Sequence, residues 1–169
     1  MLERIWNGWR ASYVSTAGQA ADGATGSVFT QILQSGLGDT ETNVVHRGEH
    51  CFAILNAFPY GTGLLLVLPY REVGELEELT DAETAELWPM VTDAVRAIKQ
   101  AYSPEGINVG INLGRPAGGS VSEHVHVHVV PRWTGDANFM TATANTRTLP
   151  EALPDSAAKL RAAWPVPPP

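Results

Sequence analysis

The run His124-Val125-His126-Val127-His128, continued by Val129 and Val130 up to Pro131, constrains the fold of this chain more than any other stretch. Side chains alternate between the two faces of a β-strand, so residues two apart share a face. The valines then belong to a core, and His124, His126 and His128 line the opposite face, starting roughly 6.6 Å apart at their α-carbons. Each imidazole carries two ring nitrogens that need a partner when buried. Three readings fit such a row. One imidazole can act as nucleophile or base while its neighbours orient it. The row can hold a metal ion, given a further ligand from elsewhere. Or the strand is half exposed, with histidine at its polar positions.

The remaining sequence supplies the elements that would frame this strand. Residues 15–26 are rich in small and polar residues and read as a loop, and Val28–Leu33 as a short helix. Thr42–Arg47, Cys51–Asn56 and Leu64–Pro69 have strand character, separated by turn residues at 47–49 and 59–63. Thr80-Asp81-Ala82-Glu83 is a capping box. It opens a long helix over Thr80–Ala101 with an apolar stripe at Leu87, Met90, Val91, Ala94, Val95 and Ile98. Pro89 lies inside that helix and predicts a kink or a later start. Ile107–Asn112 is a strand leading into the loop before the histidines. Phe139–Ala144 reads as a last strand and Asp155–Trp164 as a terminal helix. The organisation expected is an N-terminal segment 1–26, one domain over 27–164, and a proline-rich tail 165–169.

Composition narrows the class. A chain of 169 residues suits one core of ordinary size. Its single cysteine, Cys51, rules out an internal disulfide and stands in an apolar run that suits a core residue. There is neither a charged-then-apolar leader nor an apolar span of membrane length, so a cytoplasmic protein without a membrane partner is expected. A formal net charge of −7 argues against a nucleic-acid partner but leaves room for a small nucleotide, whose phosphates need only a few local donors.

The stretch Asn112-Leu-Gly-Arg-Pro-Ala-Gly-Gly-Ser-Val-Ser-Glu-His124, with the triad and Pro131-Arg132-Trp133 after it, resembles the histidine triad (HIT) superfamily. The family signature His-φ-His-φ-His-φ-φ, with φ apolar, is met at every position. The continuation through Asp136, Asn138 and Phe139 looks like the bacterial branch that cleaves dinucleoside polyphosphates. Leu55-Asn56 through Gly63 and Pro69-Tyr70-Arg71 resemble the family's earlier strand-turn-strand. The resemblance implies an α+β, HIT-like fold, a mostly antiparallel sheet of about five strands against one long and one or two short helices. It also implies a homodimer.

The same resemblance implies the chemistry. His126 would attack the α-phosphorus of a nucleotide and form a covalent nucleotidyl-histidine that phosphate or water then resolves. His128 would donate to phosphate oxygens, and His124 would orient the group or aid the leaving phosphate. Asn56 matches a residue that bonds ribose hydroxyls, and Asn112 an amide near the phosphates. Gly119 and Ser120 belong to a loop where backbone N–H groups and a hydroxyl can cradle an anion. Arg132 and Trp133 are candidates for phosphate and base, and Trp6, Trp9 and Arg10 for weaker contact. Other substrate options are a nucleoside phosphoramidate, or a nucleotide bound with little turnover.

The chain departs from the family at three places. Ser27-Val28-Phe29-Thr30 stands where related bacterial members often carry the Cys-x-x-Cys of a structural zinc site. Leu64 and Glu72 stand where further histidines are common. One cysteine cannot make a thiolate-rich site. The expectation is therefore no zinc and no resident cofactor, a divalent cation at most accompanying the nucleotide.

Overall fold

A computed structural model describes residues 26–57, 59, 61–136 and 151–166. Its elements follow from short-range chemistry. Ser27 caps the helix α1 (Val28–Gln34), its hydroxyl accepting from the Thr30 N–H. A four-residue helix, α2 (Asp39–Thr42), which the sequence reading did not foresee, ends at Asn43 in the left-handed region. Strands β1 (Val44–Arg47), β2 (Cys51–Leu55) and β3 (Leu65–Pro69) then run antiparallel to their neighbours, β2 and β3 buried throughout. The Glu86 carboxylate collects the N–H groups of Glu49, His50 and Cys51 and so fixes the β1–β2 turn to the long helix.

That helix, α3 (Asp81–Tyr102), begins at the capping box the sequence predicts, Thr80 and Glu83 exchanging bonds. Arg71 grips Glu83 through two nitrogens at 3.0 and 2.7 Å, and this grip holds the carboxyl down at about 2. Pro89 does not delay the start: the helix runs from Asp81 straight through it. Pro89 and Ala85 both face water, so the Ala85 carbonyl, which loses its intrahelical donor, can be solvated. Leu87, Met90, Val91, Ala94 and Ile98 are buried as the stripe predicts.

Strand β4 (Gly106–Ile111), strand β5 (Val127–Arg132) and helix α4 (Leu153–Ala162) complete the described elements. The strands form one antiparallel sheet in the order β1-β2-β3-β5-β4, an α+β arrangement. One face, with Val45, Ala53, Val67, Val127 and Val129, packs under α3 and α4. The other, with Val44, Phe52, Ile54, Leu64, Leu66 and Leu68, is covered by Phe29 of α1. Arg161 ties α4 to β1 by donating to the Val44 carbonyl. No described helix is long and apolar enough to cross a membrane. The strand expected at Phe139–Ala144, the Trp6, Trp9 and Arg10 contacts and residues 167–169 of the tail lie outside the described residues.

Candidate active site

The histidine row is built as the alternation predicts, with one adjustment. Ladder pairing starts only at Val127, so His124 and His126 sit on the approach to β5. A bond from the Val125 N–H to the Val73 carbonyl, 2.7 Å, steadies that approach. Gly74 permits it: a Cβ there would stand 2.9 Å from the Ser122 carbonyl oxygen. Val127 and Val129 are fully buried against the α3 side, while His124 (0 % exposed) and His126 (7 %) are buried on the α1 side.

Buried imidazoles must find partners, and carbonyl partners dictate the tautomers. His124 Nε2 lies 2.9 Å from the Pro69 carbonyl, which can only accept, so the proton sits on Nε2. In the neutral ring Nδ1 then accepts from the Ser27 hydroxyl, 2.7 Å away. His126 Nδ1 lies 2.7 Å from the His124 carbonyl, so Nδ1 carries the proton and Nε2 the lone pair. Burial holds both imidazoles below their ordinary value, against the opposing pull of these carbonyl bonds. His126 is thereby a neutral ring with a directed lone pair. The His128 ring follows at 4.8 Å between centroids, tilted by 59°.

The predicted substrate residues divide by face. Gly110 pairs with His128 and Ile111 with Val127, so Asn112 continues the edge row toward His126 on the histidine face. A Cβ on Gly110 would meet nothing within 4 Å, so the edge beside His128 is open. Asn56 lies just past β2 in step with Phe52 and Ile54, also on this face, its N–H bonded to the Leu64 carbonyl. In the loop, Gly119 is buried, and a Cβ there would come 3.0 Å from the Gly114 oxygen. Its N–H donates to that same carbonyl, closing the loop on itself. Ser120 follows, half-buried. Arg132 is on the histidine face but four residues beyond His128, roughly 13 Å along the strand. Asp136 and the Asn108 side chain hold it there. Trp133 points to the other face, edge-on to Tyr102 with centroids 6.5 Å apart, and is not brought to the imidazoles.

Four residues at the site were not foreseen as its parts. Phe29 lies edge-on to His124 at 5.5 Å and tilted against His126 at 5.4 Å. Ser27, Thr30 and Glu72, noted in the sequence only as departures from a zinc pattern, meet around His124. The Glu72 carboxylate accepts from the Ser27 N–H at 2.7 Å and from the Thr30 hydroxyl. These bonds, the Thr30 hydroxyl first, hold the Glu72 carboxyl below its usual range. The signal for the capping serine was present as Ser-x-x-Thr before an apolar turn.

A structural zinc does not fit these residues. Two hydroxyls replace thiolates, and the carboxylate and imidazole are engaged with them. Among the described residues no cluster of three or more His, Cys, Asp or Glu side chains could hold a metal. Cys51 is in the core, its thiol pushed up to about 12 by burial. His46 stacks on Trp164, and His50 lies in the β1–β2 turn beside Glu49.

Comparison with known proteins follows the same lines. The profile of the HIT domain family matches residues 38–135. The AP-4-A phosphorylase of Mycobacterium tuberculosis (strain ATCC 25618 / H37Rv) is 46% identical, over 96% of this chain and 85% of its own length. A Hit-like protein involved in cell-cycle regulation from Bartonella henselae has a similar structure, with TM-score 0.67 and 25% identity over 86% of this chain and 100% of that one. A Zn-bound histidine triad family protein from Mycobacterium smegmatis gives TM-score 0.64 and 28% identity over 80% of this chain and 91% of its own.

Proposed function

This chain belongs to the HIT domain family, and from that premise we propose that it is an enzyme cleaving dinucleoside polyphosphates, such as diadenosine tetraphosphate, at the α-phosphate through a nucleotidyl-His126 intermediate. The observation that carries the reading is the His126 tautomer. Its Nδ1–H is committed to the His124 carbonyl, which leaves the Nε2 lone pair for phosphorus. In the first step an N–P bond forms at Nε2 while the bond from the α-phosphorus to the bridging oxygen breaks, and the nucleoside polyphosphate departs. The ring gains positive charge, which the His124 carbonyl meets at Nδ1. In the second step an acceptor oxygen bonds to phosphorus and the N–P bond breaks, restoring neutral His126.

Inorganic phosphate is the acceptor we favour, because the M. tuberculosis relative is named a phosphorylase. His128 donates to the phosphate oxygens, and His124 orients His126. Asn112 and Ser120 attend the phosphates, Gly119 shapes their loop with its N–H turned to the Gly114 carbonyl, and Asn56 attends the ribose. Arg132 serves the distant part of an extended substrate, a role its position four residues beyond His128 supports. Trp133 contributes by packing on Tyr102. The enzyme works without a resident metal, which the hydroxyls of Ser27 and Thr30 in place of thiolates support.

We further propose a cytoplasmic homodimer joined along β4. Among the described residues this edge strand pairs on one side only, and Val109 is exposed on it. Val109→Lys is expected to shift the species seen in analytical ultracentrifugation to a monomer.

Product analysis with diadenosine tetraphosphate tests the activity. Phosphate-dependent ADP plus ATP is the expected result, and AMP plus ATP would make the enzyme a hydrolase. A wild-type protein that binds the nucleotide without turnover, or a His126→Ala protein that turns it over normally, sinks the reading.

A further inference from the structure

The geometry points to Ser27, Thr30 and Glu72 as positioning residues for the nucleophile, an assignment that rests on His126 being that nucleophile. Three segments far apart in sequence meet here: the cap of α1, the loop after β3 and the start of the histidine row. The carboxylate of Glu72 fixes the cap by accepting the Ser27 N–H and the Thr30 hydroxyl. The Ser27 hydroxyl, 1 % exposed as a residue, is thereby aimed at His124 Nδ1 at 2.7 Å. With Nε2–H on the Pro69 carbonyl, the His124 ring is held at both nitrogens. The carbonyl of that residue accepts from His126 Nδ1. The chain of bonds therefore runs from Glu72 through Ser27 and His124 to the tautomer of His126.

Tautomer choice in histidine is set by the bond the other nitrogen makes. Remove the Ser27 hydroxyl, and His124 Nδ1 is a buried acceptor without a donor; the ring can relax only by turning, which carries its backbone with it. His126 then loses the fixed acceptor that keeps its lone pair on Nε2. The same helix lays Phe29 against both rings, so a shift of α1 disturbs them together. The Ser27, Thr30 and Glu72 side chains touch no reacting atom and act through His124 and through the placement of α1.

The test uses the full chain and two readouts. Nitrogen-15 NMR of the histidine rings reports the His126 tautomer without substrate, and kcat and KM report turnover of diadenosine tetraphosphate. For Ser27→Ala we expect about a tenfold loss of kcat, by analogy with the partners that orient metal-bound imidazoles, with KM changed less than about twofold. In the same variant His126 should pass from the single Nδ1–H form to a mixture. Ser27→Thr, which restores the hydroxyl, should recover both. A folded Ser27→Ala protein in which either readout stays at its wild-type value overturns the assignment. Should that variant not fold, Glu72→Ala decides by the same two readouts, since the Ser27 N–H and the Thr30 hydroxyl share the one carboxylate oxygen Oε2, which an amide oxygen could replace and a methyl group cannot. Absence of turnover in the wild type would refute the substrate reading instead, and the NMR arm would still judge this one.

Discussion

Val127 and Val129 point toward α3, whereas His128 and, just before β5, His126 point toward α1, so one short stretch of chain carries two interiors of different kinds. On the valine face burial is satisfied by contact alone. Any apolar group of suitable volume meets the requirement, because dispersion and the hydrophobic effect have no preferred direction. On the histidine face the buried ring nitrogens need partners at fixed places, and two of those partners come from distant segments, the Pro69 carbonyl and the Ser27 hydroxyl, while the third is the neighbouring His124 carbonyl. The valine face therefore determines whether the chain folds. The histidine face determines which nitrogen holds the proton.

Changes on the two faces should separate these properties. His126→Ala removes the nucleophile, and a loss of about 10⁵-fold in kcat is expected, some 7 kcal/mol of transition-state stabilisation. The same change leaves one carbonyl bond unmade, a stability cost of about 1 kcal/mol, so the melting temperature should fall by only about 2–4 °C. Val127→Lys is the converse. It puts an unpaired ammonium into the fully buried layer under α3, at a cost of about 3–5 kcal/mol. That is comparable to the whole stability of many domains. Denaturant titration of the two variants checks the division; a His126→Ala protein that unfolds as readily as Val127→Lys would erase it.

The valine face was legible in the sequence and the histidine face only half so. Period-two alternation, the capping box at Thr80 and the stripe from Leu87 to Ile98 are local patterns. Among the described residues they predicted the strands, the long helix and the core to within a few residues. The row of imidazoles was visible for the same reason. What could not be read was who satisfies them, because Ser27 is 97 residues from His124 and Pro69 is 55. A hydroxyl at Ser27 and a carboxylate at Glu72 looked like missing metal ligands until the fold set them side by side. Trp133 was ambiguous for a related reason. Its place one residue past β5 puts it on the valine side with Tyr102, and no local pattern distinguished an aromatic packing residue from one that stacks on a base. The closing of Gly119 onto Gly114 is likewise a contact made by the loop's shape.

Two glycines sharpen the comparison at smaller amplitude. Gly110 pairs with His128 and has open space where a Cβ would be. Gly110→Val should leave stability near its wild-type value, since branched residues suit strands. Its methyl groups would stand beside the substrate, and about a tenfold rise in KM is expected, worth about 1.4 kcal/mol. Gly119→Ala meets the Gly114 carbonyl oxygen at 3.0 Å instead, and should lower the melting temperature as well as activity. Equal behaviour of the two variants would mean that the Gly110 edge is not open to substrate.

The smallest effect concerns protons. Attack needs neutral His126, and burial lowers the pKa of that ring below 6.5. As pH falls through 6.5, His126 therefore remains neutral, and the acid limb of kcat/KM should lie below that value. Stability moves the other way over the same range. The unfolded chain binds protons at its histidines from about 6.5 downward, while buried His124 and His126 resist them, so the native state loses ground as pH drops below 6.5. Glu123 is the group to vary, because its negative charge raises the pKa of both rings. Glu123→Gln should carry the acid limb further down. The displacement should shrink with added salt, since Glu123 is exposed and its field is screened. A limb at or above 6.5, or one that Glu123→Gln moves upward, would show that burial does not govern the proton on His126.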